Sequence, residues 1–161
     1  MLSESARMSS PAEARFRIQA ADSKPRAIKV VALDRPSENV VRRLAAGSWS
    51  QAAFLTASAR AIVDGTLTDL SGSTREVMTE VEAADLVVMV ATPTGYAHGA
   101  SVIGEACTLK GVMTTALVFG AGSASNEALS KTLAQLRPWS MMVVIADADD
   151  YIHDLLTALR A

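Results

Sequence analysis

Residues 27–47 read AIKVVALDRPSENVVRRLAAG. The first seven, AIKVVAL (27–33), are rich in β-branched residues and show no polar alternation beyond Lys29, which suits a strand covered on both faces. Ser37 then stands where a helix would be capped. Val40, Val41 and Leu44 share one face of that helix, and Gly47 ends it. A strand, a short polar turn and a helix within 21 residues form the unit from which parallel sheets are built.

The same alternation runs to the end of the chain. QAAFLTA (51–57) is a second, weaker strand, and Ser73-Thr74-Arg75-Glu76 has the form of a capping box opening a helix with Val77, Met78 and Val81 inward. DLVVMVA (85–91) is the strongest strand. A helix over 99–110 stops at Gly111, VMTTALVF (112–119) is the next strand, and SNEALSKTLAQL (125–136) is a helix closed before Pro138. SMMVVIA (140–146) and a last helix over 149–159 complete the series, with Met141 and Met142 read as packing residues. The pattern predicts a single three-layer, Rossmann-like α/β domain, with a mostly parallel sheet of about five or six strands and helices on both faces. Residues 1–26 differ: rich in Ser, Ala and charge and broken by Pro11 and Pro25, they read as a mobile arm, with a short amphipathic helix over 12–20 as the alternative.

Composition bounds the function. The chain has 161 residues, 15 Lys and Arg against 17 Asp and Glu, a net charge of −2 and one Cys. At this length roughly two thirds of the unfolded surface can be buried, so neither disulfides nor metal are needed for a core. One Cys and two His leave little material for a zinc site, and no cofactor is implied. The charge balance argues against nucleic acid, whose ligands carry a basic excess. Apolar runs such as 86–91 are far too short to span a bilayer, so the expected compartment is the cytoplasm.

Ligands in such folds sit beyond the carboxyl ends of the strands. A phosphate cradle there needs converging backbone N–H groups, and hence usually Gly. The first loop, Asp34-Arg35-Pro36-Ser37, holds none; Pro36 has no N–H, and Asp34 would repel an anion. A capped turn is its simplest reading. TPTGYAHGAS (92–101) is the better candidate, with Thr92, Thr94, Gly95, His98 and Gly99 meeting at a helix start that favours anions. Gly120 to Ser125 could also offer N–H groups. Asp147, Asp149 and Asp150 read as helix capping and dipole complementarity in preference to a metal cluster, and Cys107 as a small core residue.

Ile28-Lys29-Val30-Val31-Ala32-Leu33, followed by Ser37, Asn39, Val40, Val41, Arg42 and Arg43, resembles the opening strand, loop and helix of FtsZ, the bacterial tubulin-like GTPase. The likeness continues at 84–88, 99–103, Glu105, Gly111, Thr114, 117–118, 133–137 and 143–145, mostly in hydrophobic strands and helix faces. Where that family has a glycine run, this chain has Asp34, Arg35, Pro36, Ser37 and Glu38, with only Asn39 kept. Its Gly/Thr-rich loop is replaced by Thr92 to Gly99, and the middle loop, near Gly65 to Gly72, is contracted. The resemblance covers residues 27–161 and implies a domain without the family's central helix, catalytic acidic loop and second domain. Each lost charge-assisted hydrogen bond to phosphate is worth roughly 1.5–3 kcal/mol, so three or four such losses remove GTP affinity.

The expectation is therefore a non-catalytic FtsZ-like domain with no GTPase activity, serving protein interaction or regulation. Its partner would be a second copy in a homodimer, or an intact FtsZ. The alternative is a protein or enzyme binding a small anion or nucleotide other than GTP through 92–99. A phosphoacceptor role for Asp34 is weaker, since a lone Asp lacks the acidic pair and lysine of that chemistry.

Overall fold

The computed structural model describes residues 25–57, 63–146 and 149–159, the side chains of Asp149 and Asp150 excepted. The arm's residues 1–24, including the alternative helix over 12–20, lie outside them, as does Asp147. Among the described residues the strands are β1 (Ile28–Ala32), β2 (Ala52–Thr56), β3 (Thr66–Asp69), β4 (Thr74–Glu76), β5 (Leu86–Ala91), β6 (Met113–Phe119) and β7 (Met142–Ala146). The α-helices are α1 (Arg35–Ala45), α2 (Val77–Glu82), α3 (Gly99–Lys110), α4 (Asn126–Leu136) and α5 (Asp149–Ala158).

One sheet runs in the order β4-β3-β2-β1-β5-β6-β7. The five strands read from the sequence are its parallel members, from β2 through β1, β5 and β6 to β7. Strand periodicity sorts their side chains between two cores. Val31, Val87, Met89, Ala116 and Val118 face Val77, Val81, Ile103, Leu133 and Leu136 of α2, α3 and α4. Ile28, Val30, Val88, Val90 and Leu117 face Val40, Val41 and Leu44 of α1 and Ile152 and Leu156 of α5. Lys29, the polar exception in β1, sends its ammonium to Glu80 of α2 at 2.9 Å.

The sheet has seven strands, not five or six, because 65–76 forms an antiparallel hairpin where a contracted loop and a helix start were expected. Thr74–Glu76 is β4, and α2 begins at Val77 behind Glu76, which makes no side-chain cap. The capping-box reading fails because Asp69 takes Ser73 first. Its carboxylate accepts from the N–H groups of Ser71 and Ser73, the Ser71 hydroxyl and Arg75, closing the hairpin. The Ser71 hydroxyl, the Ser73 N–H and Arg75 hold the Asp69 carboxyl down at about 2.

Candidate functional site

The sheet order reverses at β1, so the crevice between the carboxyl ends of β1 and β5 is the topological switch point, where folds of this kind bind ligands. Only Leu33 and Asp34 join β1 to α1. Asp34, not Ser37, is the N-cap. Ser37 completes a capping box: its N–H donates to Asp34 Oδ1 at 2.9 Å, while the Asp34 N–H donates to Ser37 Oγ at 3.2 Å. Asp outranks Ser here because Pro36 fits the first turn and brings the helix start forward to Arg35.

The other oxygen of Asp34 crosses the switch point. Asp34 Oδ2 accepts from the Thr92 N–H at 2.7 Å and the Thr92 hydroxyl at 2.9 Å. A helix N-terminus at this position is an anion site by its dipole and free N–H groups. Here the anion is the chain's own carboxylate, fixed from both loops. Arg35, Pro36 and Asn39 are exposed on the outer side of the turn.

The 92–99 loop is brought to the same end of the sheet, but the backbone donors of residues 92–97 are already committed. Thr94 N–H donates to Thr92 O at 2.7 Å, Gly95 N–H to Thr132 Oγ1 at 2.9 Å, Tyr96 N–H to Thr94 Oγ1 at 3.3 Å and Ala97 N–H to Gln135 Oε1 at 2.6 Å. Pro93 has none to give. Gln135 returns its amide to Gly95 O at 3.0 Å, so α4 clamps the loop from both sides. Gly95 sits at φ +79°, a conformation that disfavours any Cβ. At the start of α3 the Ala100 N–H donates to Ala97 O and the Ser101 N–H to His98 O.

His98 occupies the N-cap position of α3 without a side-chain cap bond, and its Nδ1 lies 3.4 Å from Gln135 Nε2. With Ala97, Ser101, Ala134, Gln135 and Trp139 it lines a shallow cleft of about 160 Å³. Thr92 and Gly99 are buried, so of the five residues proposed from the sequence the structure exposes His98 alone. The 120–125 loop likewise closes on itself, with a 3₁₀ turn over Ala121–Ser123 and Ser125 capping α4. Among the described residues no group of three or more His, Cys, Asp or Glu could hold a metal. Cys107 is buried, and burial pushes its thiol up to about 11. Sequence reasoning missed Thr132 and Gln135. Their only local signal is that two polar residues flank Leu133 on the inner side of α4.

The expectation that Met141 and Met142 are packed is corrected. They are 73% and 46% exposed, and Ile145 is 49% exposed, because β7 is the outermost strand and the helices cover neither of its faces completely. A groove of about 280 Å³ runs there, lined by Leu133, Arg137, Ser140, Met141, Val143 and Ile145. No helix among the described residues is long and apolar enough to cross a membrane.

No family model and no curated protein matches the sequence. Among solved structures the fold is similar to translation elongation factor SelB from Methanococcus maripaludis in complex with the GTP analogue GppNHp. The identity is 11% over 86% of this chain and 34% of that one, with a TM-score of 0.51. The apo form of the same factor matches at 7% identity over 86% and 37%, with a TM-score of 0.49. This chain thus spans about a third of the SelB chain's length. These neighbours are elongation factors and not FtsZ or tubulin, which overturns the FtsZ resemblance. That resemblance rested on apolar strand and helix positions, and any parallel sheet buried on both faces supplies them. What the chain shares with SelB is its architecture, a Rossmann-like α/β fold.

Proposed function

We propose that this chain is a non-catalytic α/β domain that works by protein interaction, with its ligand crevice closed and the β7 edge as its contact face. The observation that carries it is the Asp34 carboxylate, bonded at once to the start of α1 and to Thr92 at the switch point. A phosphate brought there would meet a negative charge and displace three hydrogen bonds, each charge-assisted and worth roughly 1.5–3 kcal/mol. The 92–97 segment has no uncommitted backbone donor to offset that loss. The same bonds count against the 92–99 loop as a small-anion site. With the FtsZ resemblance overturned, FtsZ has no special standing as a partner.

Thermal unfolding with a panel of nucleotides, phosphate and phosphorylated metabolites tests the closed crevice. A ligand at a hundred times its dissociation constant adds roughly 2.7 kcal/mol, or about 5–10 °C for a chain of this size. The expected shift is below 1 °C for every compound. A saturable shift of several degrees that Asp34→Ala enlarges or abolishes would refute the proposal.

A further inference from the structure

We propose that the β7 edge is a self-association face, on which a second copy of this chain pairs its own β7 antiparallel, Val144 against Val144. This rests on the interaction-domain reading above and names its partner.

Among the described residues the two outer strands of the sheet differ in kind. β4 is three exposed residues long and carries Arg75 and Glu76, charges of the type that blunt an edge against pairing. β7 reads Met142-Val143-Val144-Ile145-Ala146, with neither charge nor Pro to deter a neighbouring strand. Five of the eight large apolar side chains exposed among the described residues gather around it: Met113, Met141, Met142, Ile145 and Tyr151. Met113 begins the neighbouring β6, two residues before Thr115, the register partner of Met142. Tyr151 lies roughly 200° around α5 from His153. His153 packs on Trp49, and Trp49 on Phe54 of β2, so Tyr151 overhangs the opposite, outer flank.

The edge is also complementary to itself. Centring a two-fold axis on Val144 pairs all five residues, and directly opposed residues of an antiparallel pair share a face. Val143 then meets Ile145 of the second copy on the α4 side, and Met142 meets Ala146 on the α5 side. No like charges are opposed. The α4-side grooves of the two copies become continuous, with Met141 and Ile145 lining both beside Arg137 and Ser140. Pairing β7 with β4 would instead propagate head to tail into a filament, whereas β7 with β7 closes as a dimer. A five-residue edge about 17 Å long, flanked by one helix layer on each side, buries roughly 500 Å² per copy. That lies at the low end of specific interfaces, the size of weak, reversible contacts.

Sedimentation of the full chain from 1 to 200 µM tests this. A reversible monomer–dimer equilibrium is expected. Ile145→Lys and Met141→Lys each weaken it at least tenfold with the melting curve of the monomer retained, while Leu109→Lys, on the solvent face of α3, leaves it intact. Oxidative trapping reads the register independently. Val144→Cys, facing its own copy within disulfide reach, links into dimers, whereas Met142→Cys, facing Ala146, does not. The buried Cys107 supplies no background. A strictly monomeric chain, as expected if another segment or a foreign protein covers the edge, overturns the proposal. So does a dimer indifferent to both lysine variants. Neither outcome touches the closed crevice, which fails only in the nucleotide titration.

Discussion

At the carboxyl ends of β1 and β5 the chain satisfies its own amides, one after another; along β7 the described residues leave an apolar strand edge without cover. The first region is where sheets of this architecture hold ligands, and here it is filled by Asp34, Thr92, Thr132 and Gln135. The second is ordinarily a liability, and this chain places Met and Ile on it where charge would serve as protection. The same sheet thus carries internal hydrogen bonds across its crevice and exposed apolar side chains along its β7 rim.

The largest expected effect breaks the closed region. Asp34→Ala removes the helix cap, worth about 1 kcal/mol, and two charge-assisted bonds to Thr92, for a total loss of at least about 4 kcal/mol in urea unfolding. The Thr92 amide should also become the fastest-exchanging of the loop. Unchanged stability and exchange in this variant would mean that something other than the carboxylate closes the crevice. Next in size, Gln135→Leu strips the Ala97 N–H and the Gly95 carbonyl of their partner, at a cost of about 2 kcal/mol. By contrast Ile145→Lys and Met141→Lys should change monomer stability by less than about 0.5 kcal/mol, since both side chains face solvent in the single copy.

The smallest effect lies in acid, at the opposite edge. The Asp69 carboxyl is held below its usual value of 3.8, at about 2, so its contribution is complete above pH 4 and is lost as the pH falls from about 4 to 2. Asp69→Asn should flatten the stability profile over that window. An equally steep profile would assign the acid response to other carboxylates.

Much of this fold was legible residue by residue. The five parallel strands fell within two residues of their observed ends, three of them (β1, β5 and β6) because they are apolar runs buried on both faces, and the caps at Gly111 and Ser125 stand where the sequence puts them. The β3–β4 hairpin was not legible. Thr66–Asp69 is four residues long with one buried side chain, and what holds it is the Asp69 carboxylate, a set of bonds with no hydrophobic signature. Of the site, the place of an acidic residue, Asp34, at the carboxyl end of β1 was legible. The clamping of Gly95 and Ala97 was not, because its bonds come from α4, 37 to 40 residues onward.

By itself the amino-acid sequence determined the order of the five parallel strands and of the helices between them, since periodicity and capping are written within a few neighbouring residues. Only the tertiary structure decided that Asp34 reaches Thr92, 58 residues away, and that β7 stands at the rim of the sheet. Hydrogen-bond partners and strand neighbours are properties of distance in space. A buried strand and an edge strand can be spelled with the same apolar letters until the chain has chosen which of them has a neighbour on both sides.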